Sequence, residues 1–129
     1  MGLDMSHDAF HGAYSAFNRF REFICESTGG RWADIQHGDL TWEFGDGYTG
    51  ETHPGLFALL SHSDCDGEIE SDVAGKLADE LESLLPKLEA RNSGSVGHIA
   101  AAGGYVEVAK KMIIGCREAF SNGEPLTFG

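Results

Sequence analysis

The 129-residue chain fits a single domain, long enough to bury about two-thirds of the surface its unfolded form exposes. Its 41% apolar and 23% charged residues are ordinary for a globular protein and argue against disorder. Only 9 Lys and Arg stand against 21 Asp and Glu, and the resulting charge of −12 repels a phosphate backbone, which argues against sequence-independent nucleic-acid binding. One small anionic ligand in a local basic pocket remains compatible with that balance.

No stretch approaches the roughly 20 apolar residues that cross a bilayer, so no membrane partner is expected. The start of the chain, Met1 to His7, has neither a positive charge nor an apolar core, and a signal peptide is not expected. Cys25, Cys65 and Cys116 are odd in number and have no paired spacing. Free thiols in a reducing compartment follow, and with them a cytoplasmic location.

In chain order, Phe10, Ala13, Tyr14, Phe17 and Ile24 recur at helical spacing, with Phe20 and Phe23 widening the stripe. Ser6 or Asp8 is placed to cap this first helix, and Gly29-Gly30 to end it. Thr41-Trp42-Glu43-Phe44 alternates polar and apolar, and Asp46-Gly47 is a turn signal before Tyr48, so a short hairpin is expected there. The apolar run Leu56 to Leu60 follows Pro54-Gly55, and its length favours a strand buried on both faces.

Val73, Leu77, Leu81, Leu84, Leu85 and Leu88 predict a second helix starting at Ser71 or Asp72, with Lys76 and Glu80 paired on its solvent side. Pro86 is expected to end or bend it near Leu85, before a loop over Asn92 to Ser95. Tyr105, Val108, Ala109, Met112, Ile113, Cys116 and Phe120 define a third helix, stopped by Asn122-Gly123. Leu126 to Phe128 supplies a last edge strand. The expected fold is α+β, a single domain over 1–129 with three main helices packed on a small, mostly antiparallel sheet.

The densest polar constellation is His62-Ser63-Asp64-Cys65-Asp66-Gly67-Glu68-Ile69. As a calcium loop it places Asp64, Asp66 and Gly67 well but lacks the anchoring Asp and the bidentate Glu. As a transition-metal site it needs His7 and His11, four apart and so on one face of a helix, to join His62 and a carboxylate; no HExxH or CxxC spacing supports this. Nucleophilic catalysis needs Cys65 to reach an imidazole from within a tight loop. The plainer alternative is that Asp64 and Asp66 form Asx-turns and cap the next helix, with His62 a hydrogen-bonded strand end.

The second unusual segment holds Ser6, His7, His11 and Tyr14, followed by Arg19 and Arg21. Guanidinium forks match phosphates and a tyrosine ring stacks on a base, a mixture suited to a nucleotide. The bland alternative makes the aromatic stripe core and the arginines surface partners of Glu22 or Asp8. The run Gly97-His98-Ile99 lacks phosphate-loop order, yet it can bring backbone N–H groups near a ligand at a helix start.

Gly2-Leu3-Asp4-Met5-Ser6-His7 with Gly12, Tyr14, Phe17 and Arg19 or Arg21, then the HSDCDGEI string at 62–69, resemble a family of small proteins from tailed phages and prophages. Gly97-His98-Ile99 and Gly123 to Phe128 match it more weakly, and Trp32 to Gly55 does not match. The resemblance implies a biological setting and no particular reaction. By size and setting it suggests an anti-defence protein that withholds a nucleotide-type immune signal from the host.

The expected function is therefore binding and sequestration of a small anionic, nucleotide-like ligand, without a cofactor or bound metal, by a protein that is a homo-oligomer. Ser6, His7, His11, Tyr14, Arg19, Arg21, His62, Ser63, Asp64, Asp66 and His98 are the expected contacts, with the first segment and the 62–66 loop sharing one pocket. A metal-dependent hydrolase of a nucleotide-type substrate is the enzymatic alternative. An acidic inhibitor that docks on a basic protein is the third.

Overall fold

The computed structural model describes residues 2–34, 40–45, 47–62, 67–93 and 104–128. Their order is β1 (Gly2–Asp4), a 3₁₀ turn (Ser6–Asp8), β2 (His11–Ala13), α1 (Tyr14–Ser27), β3 (Arg31–Asp34), β4 (Leu40–Glu43), α2 (Pro54–Ser61), β5 (Gly67–Ile69), α3 (Ser71–Ser93), a helix named α4 here (Gly104–Asn122), and β6 (Leu126–Phe128). The fold is α+β. In place of one sheet, the described strands form three separate antiparallel pairs, β1–β2, β3–β4 and β5–β6.

Apolar spacing places the helices. Phe17, Phe20 and Ile24 of α1, Leu77, Leu81, Leu84 and Leu88 of α3, and Met112 and Cys116 of α4 are all buried in one core. Leu126 and Phe128 of β6 close it, the Phe128 ring meeting Phe17 edge-on at 5.9 Å. Both expected glycine stops are present. Gly29 and Gly30 return their N–H groups to the carbonyls of Glu26 and Cys25, and Gly123 and Glu124 return theirs to Phe120 and Ala119.

Several expectations are corrected. Residues 56–60 are not a strand but the centre of α2. Leu56, Leu59 and Leu60 are buried while Phe57 is exposed, the i, i+3, i+4 pattern of a helix. Pro54 opens this helix, where its missing N–H is not needed. Gly55 lets it approach α3 so closely that a Cβ there would lie 2.4 Å from the Leu77 backbone.

The first helix begins at Tyr14, because His11–Ala13 pairs instead with Gly2–Asp4. Thr41–Glu43 pairs with the upstream strand Arg31–Asp34, Trp42 opposite Trp32, rather than with residues after Gly47. Tyr48 N–H does bond back to the Gly45 carbonyl, while Asp46 lies outside the described residues. α3 runs through Pro86 and on past Asn92 to Ser93. The proline is exposed, while Leu84 and Leu88 on either side of it are buried. Burying a leucine stabilises by about 1.5–3 kcal/mol, comparable with the cost of an interior proline. Glu80, expected on the solvent side beside Lys76, instead points at α2.

Candidate functional site

The N-terminal segment owes its shape to the 3₁₀ turn, in which His7 and Asp8 have φ of 59° and 56°. Two successive left-handed residues without glycine cost on the order of 1 kcal/mol each, a strain the surrounding contacts must hold. Those contacts are side-chain hydrogen bonds. Ser6 Oγ lies 2.9 Å from His7 Nδ1, and His7 Nε2 lies 2.9 Å from Glu124 Oε1. A carboxylate only accepts, so Nε2 carries the proton and Nδ1 accepts from the serine hydroxyl. Thr127 N–H donates to Ser6 Oγ at 2.9 Å, fastening the turn to β6.

His11 is exposed and held between two carboxylates, Asp4 Oδ1 at 2.9 Å from Nδ1 and Asp8 Oδ1 at 2.8 Å from Nε2. Its pKa is raised by the Asp4 and then the Asp8 hydrogen bond, and the Asp8 carboxyl is held below its usual range by His11. His7 lies in the 3₁₀ turn and His11 in a strand, so the four-residue spacing does not put them on one helical face. Both nitrogens of each ring are engaged by side chains. Among the described residues, no group of three His, Cys, Asp or Glu is arranged to hold a metal.

His62 follows α2 and stacks on Phe128, ring centroids 3.9 Å apart and planes 19° apart, with Nε2 donating to the Glu68 carbonyl at 3.2 Å. It lines a cleft of about 350 Å³ between α2, β5 and the start of α3. Phe57, Ala58, Ile69 and Val73 form the apolar surface of that cleft; Ser61, His62, Glu68 and Glu70 supply its polar groups. Phe57 is backed by Trp42 at 5.7 Å between centroids. Apolar walls with a few convergent polar groups are the usual makings of a small-molecule site.

The two arginines part company. Arg19 is exposed on α1. Arg21 is only 3% exposed, and its guanidinium donates to the carbonyls of Leu59, Leu60 and His62 at 3.4, 3.3 and 2.6 Å and to the Asn18 side chain. It lies over the Phe17 and Trp32 rings, 4.8 and 5.3 Å from their centroids. The phosphate-binding role expected for Arg21 is thus replaced by one at the C-terminus of α2, where a cation meets the negative end of the helix.

The structure brings Ser6, His7 and His62 to one strand, since Thr127 bonds Ser6 and Phe128 stacks on His62. Tyr14 starts α1. Ser63, Asp64, Asp66 and His98 lie outside the described residues, as does Cys65. Of the described residues expected in one shared pocket, Ser6, His7 and His11 do not line the cleft beside His62, and His11 instead borders a depression with Glu107 and Lys111. The sequence pattern did not single out Glu124, Glu70 or Phe57. Glu68 was in view only as part of the 62–69 string. Compared with protein-family models, with curated proteins and with solved structures, the chain finds no match.

Proposed function

We propose that the chain binds a small nucleotide-like ligand and withholds it without converting it. The observation that supports this is the cleft beside His62, which combines an exposed aromatic face, Phe57, with the carboxylates of Glu68 and Glu70. A base stacks on the phenyl ring, and carboxylates accept from ribose hydroxyls and exocyclic amines. The same carboxylates repel phosphates, so the anionic end of the ligand projects toward solvent. The resemblance to small tailed-phage proteins supplies the setting, a host immune signal sequestered in the cytoplasm by a homo-oligomer.

Isothermal titration with adenosine, AMP and ADP-ribose tests the reading. Phe57→Ala is expected to weaken binding about 10–100-fold, as loss of 1–3 kcal/mol of stacking implies. Glu68→Gln with Glu70→Gln is expected to weaken ribose-containing probes while leaving the melting temperature unchanged. If none of the three probes binds at millimolar concentration, the reading fails. Chromatography of the same mixtures separates binding from hydrolysis, and light scattering at micromolar protein gives the oligomeric state.

A further inference from the structure

We propose that Ser6 is a nucleophilic serine, activated by His7 and Glu124, that accepts an acyl group from small activated esters and releases it to water. The three side chains form a continuous chain: serine hydroxyl to His7 Nδ1 at 2.9 Å, His7 Nε2 to Glu124 Oε1 at 2.9 Å. Serine, imidazole and carboxylate in that order are a nucleophile, its general base and the group that orients the base. Glu124 is itself held by Asn122 Nδ2 at 3.3 Å. This centre is separate from the cleft beside His62 and stands without the nucleotide reading.

The geometry leaves the hydroxyl free to react. Its proton points to His7 Nδ1, and one lone pair accepts the Thr127 N–H. Among the described residues these are the two groups on Oγ, which leaves its second lone pair for a carbonyl carbon. A backbone donor on Oγ also stabilises the charge that grows there as the proton leaves. The serine is half-buried at a seam where Thr127 and Glu124 are exposed. Directly after it, His7 and Asp8 hold left-handed φ, and backbone strain of this kind collects at functional sites.

In the first step Oγ bonds to the acyl carbon, its proton passes to Nδ1, and the ester C–O bond breaks with the leaving oxygen taking that proton. In the second, water attacks the acyl-serine and gives a proton to Nδ1. The C–Oγ bond breaks, Oγ recovers the proton, and the carboxylic acid departs. The His7 imidazolium formed between these transfers is balanced by the Glu124 carboxylate.

The test uses the whole protein with a fluorophosphonate probe and with p-nitrophenyl acetate. Peptide mapping is expected to place one label on Ser6, and the ester to give a burst of nitrophenolate equal to one per chain. His7→Asn, chosen because asparagine tolerates a positive φ, is expected to slow labelling at least 100-fold, and Glu124→Gln about 10-fold. Circular dichroism and melting confirm that both variants fold. Absence of label on Ser6 in the folded wild type overturns the proposal. So does a folded His7→Asn that labels as fast as the wild type, and the chain of bonds is then only a fastening between the turn and β6.

Discussion

At the residue scale, His11 makes the clearest statement about pH. Asp4 and Asp8 hold its pKa above the usual 6.5, and His11, with Lys111 nearby, holds Asp8 below its usual 3.8. The charged histidine is favoured in the folded state, so its contribution is complete below pH 6.5 and is lost as pH rises through the raised value. The charged aspartate is favoured too, so its contribution is present above pH 3.8 and is lost as pH falls through the lowered value. The cluster therefore supports β1 and β2 most firmly between those limits. Proton NMR is expected to show His11 titrating above 6.5, and Asp4→Asn with Asp8→Asn to return it to the ordinary range. Two thiols make the opposite kind of statement. Burial pushes Cys25 up to about 11 and Cys116 up to about 12, and neither is in a disulfide. The thiolate is the reactive form, so Ellman's reagent at pH 8 is expected to leave both untouched in the folded protein and to modify both in guanidinium.

At the scale of the element, α2 is held at both ends by opposite charges. The Glu80 carboxylate of α3 accepts from Gly55 N–H at 3.0 Å and from Leu56 N–H at 2.8 Å, and Arg21 of α1 takes the carbonyls at the other end. Each charge satisfies backbone groups that a helix end leaves open, and each has the sign that the helix dipole favours. Glu80→Ala is expected to cost about 1–2 kcal/mol in urea denaturation, with Glu80→Gln recovering part of it. Arg21→Met is expected to cost more, about 2–4 kcal/mol, because it leaves carbonyls unpaired in the interior. These contacts explain why a run of five apolar residues was misread. A short apolar run is ambiguous by periodicity, and what settles it here are partners 24 and 38 positions away. By contrast the buried faces of α3 and α4 were legible, since their stripes are long enough to fix the period without outside help, though not the passage of α3 through Pro86 to Ser93. The site divides the same way. Ser6, His7 and His62 stood out as polar residues in dense clusters, but Glu124 is 117 positions from His7 and nothing local announces it. Arg21 was misassigned because its role depends on where α2 ends.

For the whole molecule, the excess of 21 acidic over 9 basic residues opposes the packing that the core drives. Arg117 relieves some of it by bridging Asp79 and Glu82 of α3, at an exposed site where salt screens the attraction. Repulsion among the remaining acids outweighs that pair, so calorimetry is expected to find a higher melting temperature in 0.5 M sodium chloride than in 10 mM, about a few degrees. A fall would show the bridges to be the larger effect. The bond from Thr127 to Ser6 spans 121 positions and has a consequence for the order of events during synthesis. While a ribosome still holds the β6 segment, Ser6 has no amide to accept from, His7 has no Glu124, and His62 has no Phe128 beneath it. The α3 stripe can already be buried against α1 and α2 at that stage, yet the N-terminal turn has only its local bonds, such as that of Asp8 to His11, to hold its two left-handed residues. Ser6, His7 and His62 thus wait for residues 124–128 before they take their final form.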